Sequence, residues 1–101
     1  MIDLEPGHLE LIKRILAEHV PDCEVRVFGS RITGTAQRYS DLDLALIGSV
    51  DWRKIEALKD AFAESDLPMI VDVLDGNAVS ESFREIIEKR YEVIQKSPRK
   101  R

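Results

Sequence analysis

GSRITGTAQRYSDLDLAL, residues 29 to 46, opens on a glycine and a serine and ends in an apolar run headed by two aspartates one residue apart. In DLDLALI, residues 41 to 47, period-two alternation puts Leu42, Leu44 and Leu46 on one face of a strand and Asp41, Asp43 and Ala45 on the other. Two carboxylates held side by side repel unless a cation stands between them. Mg²⁺ is typically bound by one or two carboxylates together with substrate phosphates. At the other end, Gly29 lets the backbone approach a phosphate with no Cβ in the way, and a turn into a short helical segment would offer free N–H groups and the Ser30 hydroxyl. Arg31 and Arg38 could add positive charge to the same loop. Gly29 and Gly34 have the two-glycine spacing of a Walker A loop, but Thr35 stands where that loop needs its lysine, which argues against a P-loop NTPase.

Outward from this stretch the chain alternates helix and strand. CEVRVF, residues 23 to 28, alternates as a strand that stops at Gly29. Upstream, Leu9, Ile12, Leu16 and His19 recur at spacings of three and four, with Ile15 widening the stripe, which predicts an amphipathic helix over 7 to 19 that Pro21 brings to a close. Downstream, Asp51 can cap a helix with Trp52, Ile55, Leu58 and Phe62 on one face, and Pro68 opens a third strand, MIVDVL, from Met69 to Leu74. Ser82 and Glu85 form a capping-box pattern for a last helix with an apolar face of Phe83, Ile86, Ile87, Tyr91 and Ile94. The reading is α+β (α/β), a small sheet flanked by helices. It occupies residues 1 to 96, followed by a basic, disordered tail over 97 to 101.

At 101 residues there is room for one hydrophobic core and none for a second substrate-binding domain. A hydrophobic share of 44% and a charged share of 34% are ordinary for a soluble domain, and no apolar run approaches the length of a membrane span. The N-terminus lacks the pattern of a secretory signal and Cys23 has no second cysteine to pair with, so a cytoplasmic location is expected. A formal net charge of -4 argues against a surface built to grip nucleic-acid backbone. His8, His19 and Cys23 have no zinc-like spacing, Trp52 and Phe62 read as core, and Tyr91 reads as packing on the last helix.

Asp72, in the middle of IVDVL, is a third acid where an unpaired charge facing a core would be costly, and it could complete a metal site. Each piece has a plainer explanation. Gly-Ser is common in turns, Asp-x-Asp can be the wet face of an edge strand, and Asp72 alone could be an exposed residue or a capping partner. The conjunction is more specific than any part. With two metal ions, one could activate an attacking hydroxyl while the other neutralises a triphosphate and its leaving group, with Asp72 polarising or deprotonating the hydroxyl.

Residues 25 to 46, VRVFGSRITGTAQRYSDLDLAL, resemble the signature of the DNA polymerase beta-like nucleotidyltransferase superfamily, and most closely that of its smallest members, the minimal nucleotidyltransferases (MNT). Their pattern is Gly-Ser-Arg, a glycine-containing loop, then Ser-Asp-hydrophobic-Asp-Leu. The resemblance implies the mixed sheet of the nucleotidyltransferase fold, a catalytic and metal-binding triad of Asp41, Asp43 and Asp72, and Gly29 and Ser30, with Arg31 beside them, on the triphosphate of ATP. It also implies a HEPN-family partner, often an RNase toxin, to which AMP is added on a tyrosine with Mg²⁺ as cofactor, the chain acting as antitoxin. Larger relatives carry further domains for base or acceptor, so here another chain must help, and the negative net charge would suit a basic partner. Two further readings stay open: neutralisation of a HEPN partner by occlusion without turnover, and transfer to a small molecule.

Overall fold

The computed structural model describes residues 2–37, 40–48 and 50–98. In chain order the elements are α1 (Pro6–His19), β1 (Glu24–Phe28), α2 (Ser30–Thr33), β2 (Leu42–Ile47), α3 (Trp52–Ala63), β3 (Val71–Asp75), α4 (Glu81–Lys89) and β4 (Glu92–Gln95). They build an α+β fold around a four-stranded mixed sheet of order β3-β2-β1-β4. β1 pairs antiparallel with both β2 and β4, while β2 and β3 run parallel across the α3 crossover. A parallel pair needs such a crossover, because a tight hairpin can only reverse the chain.

Alternation along the strands assigns each sheet face its role. Val25 and Val27 of β1, Leu42, Leu44 and Leu46 of β2 and Val73 of β3 point to one face, where Ile12, Ile15 and Leu16 of α1 and Ile55, Leu58 and Phe62 of α3 cover them. Several of these side chains are wholly removed from water, which at about 25 cal/mol per Å² of apolar surface makes this face the main source of stability. The opposite face carries a smaller cluster of Phe28, Ala45 and Ile87, with Phe83 of α4 packed on it. Phe28 and Phe83 meet edge to face with ring centroids 5.9 Å apart, which pins the start of α4 over the end of β1. α4 therefore covers only part of this face.

Three local expectations are corrected. α4 is capped by Ser80, whose hydroxyl accepts from the Phe83 N–H at 3.2 Å, and Ser82 lies inside the first turn. This cap places Phe83 and Ile87 on the inward face together. Second, Tyr91 and Ile94 do not extend the last helix. The chain leaves the helix at Arg90 and returns as β4, which closes the open edge of β1, buries Ile94 in the larger core and lays the Tyr91 ring 4.3 Å from the Arg26 guanidinium carbon. Gln95 locks this return by donating from Nε2 to the carbonyls of Val20 and Cys23, both at 2.8 Å. Third, Trp52 is not core. It is the first residue of α3 and is 68% exposed, because the apolar stripe meets the sheet only from Ile55 onward.

The other boundaries move by one or two residues: β2 begins at Leu42, and β3 spans Val71–Asp75. Arg99 to Arg101 of the basic tail lie outside the described residues, while Ser97 donates to the Asp22 carbonyl at 3.2 Å. No helix among the described residues is long and apolar enough to cross a membrane. Because Leu44 is fully buried and Trp52 is not, Leu44→Ala is expected to cost about 3 kcal/mol in urea denaturation. Trp52→Ala should stay within about 0.5 kcal/mol of the parent.

Candidate active site

The strand registers bring the sequence-derived acids to one place. Phe28 of β1 lies opposite Asp43 of β2, and Asp43 lies opposite Asp72 of β3 in the parallel pair. Residues opposite one another share a face, so Asp43 and Asp72 project from the less covered side, with Asp41 two positions earlier on the same side of its chain segment. Asp43 is half-buried, whereas Asp41 and Asp72 are exposed.

β1 then delivers its last residue to the same spot. Gly29 has φ +85 and caps α2, and a Cβ built on it would run into the Asp43 carboxylate oxygen Oδ2. Both the positive φ and the close approach call for glycine. The next residue, Ser30, starts α2, and the carbonyl of Gly29 accepts from the Ile32 and Thr33 N–H groups at 3.0 and 3.1 Å. The first N–H groups of such a turn have no intrahelical partner. Among the described residues, nothing hydrogen-bonds to the Ser30 hydroxyl or to the carboxylates of Asp41, Asp43 and Asp72.

Burial pushes the Asp43 carboxyl above its ordinary range, and the nearby charges of Asp72 and then Asp41 push it further in the same direction. Crowded acids without a donor are the chemistry a hard divalent cation satisfies, so these residues fit Mg²⁺. No group of three or more acidic, His or Cys side chains among the described residues is already spaced to enclose a metal ion. A site of this kind relies on nucleotide phosphates for its remaining ligands.

Arg31 stands apart from its neighbours in the motif. It is 6% exposed, and its guanidinium donates to backbone carbonyls: Nη1 to Asp3 at 2.9 Å, Nη2 to Ser40 at 2.8 Å and to Gln37 at 3.5 Å. The Asp3 N–H donates back to the Arg31 carbonyl at 2.9 Å, so this one residue ties the N-terminal segment and the loop before Asp41 to α2. It also lines a cleft of about 530 Å³ with Asp3, Glu5, His8, Gln37 and Asp66, and none of the three motif aspartates lines that cleft. We place the site at the motif carboxylates: the cleft has carboxylates of its own in Asp3, Glu5 and Asp66, but neither Gly29 nor Ser30 lines it. Arg38 lies outside the described residues. Phe28 was not foreseen as part of the site; its position at the end of the alternating strand, one residue before Gly29, was the available signal.

A strand-to-helix turn with its glycine against an acid, and a parallel strand that sets a second acid beside the first, are the features of a nucleotidyltransferase. The chain belongs to the nucleotidyltransferase domain family, whose family model matches residues 9–100. Over 96 residues it is 51% identical to the Haemophilus influenzae protein named "Probable protein adenylyltransferase MntA", covering 93% of this chain and 84% of that one. A crystal structure of a toxin-antitoxin with AMP-PNP superposes with a TM-score of 0.64 at 22% identity, covering 89% of this chain and 74% of the matched one. A second structure, the tri-AMPylated Shewanella oneidensis HEPN toxin in complex with MNT antitoxin, gives a TM-score of 0.52 at 18% identity over 85% of this chain and 71% of the matched one. At those identities the two structures are likenesses of fold.

Two outcomes are expected from this geometry. A carboxyl with a higher pKa folded than unfolded binds more protons when folded, so stability falls as pH rises from the ordinary carboxylate range through the raised value. Asp43→Asn is therefore expected to raise the thermal midpoint of the metal-free protein at pH 7 in EDTA, by about 2 °C, with the advantage shrinking as pH falls toward the ordinary carboxyl range. Arg31→Ala, by stranding three carbonyls, is expected to lower stability by about 2–4 kcal/mol in urea denaturation. A side chain serving nucleotide alone would leave it unchanged.

Proposed function

We propose that this chain is a Mg²⁺-dependent adenylyltransferase of the cytoplasm that moves AMP from ATP to a tyrosine hydroxyl of a HEPN-family toxin and so acts as its antitoxin. The observation that carries this reading is the pair of registers that sets Asp43 between Gly29 and Asp72. Support for the acceptor and the role comes from the relative named as a protein adenylyltransferase and from fold neighbours that are toxin-antitoxin complexes, one with AMP-PNP and one with an AMPylated toxin.

In this reading the Gly29 backbone and the Ser30 hydroxyl and N–H hold the triphosphate, since the serine hydroxyl has no competing partner among the described residues. Asp41, Asp43 and Asp72 hold one or two Mg²⁺ ions, which supply charge neutralisation on the triphosphate and the leaving pyrophosphate. Asp72, exposed on the edge strand, takes the proton from the acceptor hydroxyl. The hydroxyl oxygen bonds to the α-phosphorus as the bond from that phosphorus to the bridging oxygen breaks. Pyrophosphate leaves with the electron pair, and AMP remains on the acceptor. Arg31 acts by holding the loop before Asp41 in place.

The test is the intact mass of a HEPN-family toxin from the same source after incubation with this chain, ATP and Mg²⁺. The mass is expected to rise by one or more AMP units, with EDTA abolishing the gain and Asp43→Asn reducing its rate by at least about a hundredfold. A stable complex with no gain in mass would reject transfer in favour of neutralisation by occlusion.

A further inference from the structure

Ile70 is 70% exposed, and its position separates it from the other exposed apolar side chains. A single exposed apolar residue usually means nothing, and Trp52, Ile86 and Val93 sit on the first turn of α3, the outer side of α4 and the outer strand β4. Ile70 instead continues the alternation of β3 backward. Met69, Val71 and Val73 pack on the larger core, whereas Asp72 and Leu74 face the other way, so Ile70 lies on the face of the carboxylates. Its backbone is fixed, because the Ile70 carbonyl accepts from the Leu42 N–H at 2.9 Å, which holds it next to Asp41. β3 is an outer strand, so a second protein can reach this edge from the side.

We propose that Ile70 is the acceptor-positioning residue: its side chain forms the apolar wall on which the ring of a partner's tyrosine lies while the phenolic oxygen reaches Asp72. This rests on the function proposed above and adds to it the residue that positions the acceptor. Side chains at i and i+2 on a strand stand about 7 Å apart, a gap that a phenol ring can bridge with its oxygen at the far end. A serine or threonine side chain offers at most a methyl group to cover Ile70, and it would bring its own backbone against the three acids. A polyhydroxylated small molecule gains nothing from an isoleucine at that point. The wall therefore fits the ring of the tyrosine acceptor and gives Ile70 a role in holding it.

The experiment is a steady-state measurement of AMP transfer to the full-length HEPN partner by wild type, Ile70→Ala and Ile70→Leu, varying partner and ATP separately. Ile70→Ala is expected to lower kcat/KM for the partner roughly tenfold while the KM for ATP stays within about twofold, and Ile70→Leu should restore most of the loss. Thermal midpoints should coincide, since the side chain is exposed. An alanine variant with wild-type kcat/KM for the partner, or one that shifts the KM for ATP equally, overturns the role of Ile70 alone. A wild-type protein that leaves the partner unmodified rejects the proposed function and this inference with it.

Discussion

The Asp43 carboxylate occupies the space that a Cβ on residue 29 would need, and the rest of the site follows from that approach. For the two to meet, β1 must end at Phe28 opposite Asp43, the chain must turn through a positive φ, and α2 must begin at Ser30. The turn that makes room for the acid also begins α2, whose first N–H groups have no intrahelical partner. In the proposed function, phosphate donors and metal-seeking acids are brought together by this one backbone event. Any side chain at residue 29 would force either the glycine turn or the acid to move.

The sheet divides its labour between its faces. Leucines and valines on one side are sealed by α1 and α3, and that burial stabilises the fold. The other side carries a smaller cluster around Phe28, Ala45 and Ile87, and beyond it stand Asp72 and Asp41, whose charges add to burial in raising the proton affinity of Asp43. The half-buried Asp43 carboxyl weakens the metal-free fold at neutral pH, and it persists because the opposite face supplies the stability, a common arrangement where function and folding compete for the same residues. Arg31 belongs to the supporting structure: buried, it joins the N-terminal segment, α2 and the loop before Asp41 through backbone carbonyls.

Much of this was legible in the residues. Period-two alternation in DLDLALI separated acids from leucines, and the glycine followed by serine after an alternating strand marked the turn. What could not be read was register: nothing local states that Asp72 stands opposite Asp43 and not one residue away, since pairing is set by the α3 crossover and the shared core. β4 was missed because Tyr91 and Ile94 fall at helical spacing from Ile87, while Glu92 to Gln95 also fits a strand. The unfilled edge of β1 decides between the two. Trp52 was misplaced because a stripe of spacings does not tell where along a helix contact with the sheet begins. Arg31 looked like a phosphate ligand by position alone, and the direction of a long side chain depends on which carbonyls the fold places within its reach.

Binding of Mn²⁺ in place of Mg²⁺, followed by electron paramagnetic resonance with and without AMP-PNP, tests most directly whether the Asp43 and Asp72 pair forms the metal-nucleotide centre. The wild-type protein is expected to bind the ion much more tightly with the nucleotide than without it. Asp43→Asn and Asp72→Asn should each weaken that binding at least about tenfold. Undiminished binding of Mn²⁺ with AMP-PNP by both folded variants would place the centre somewhere other than on this face of the sheet.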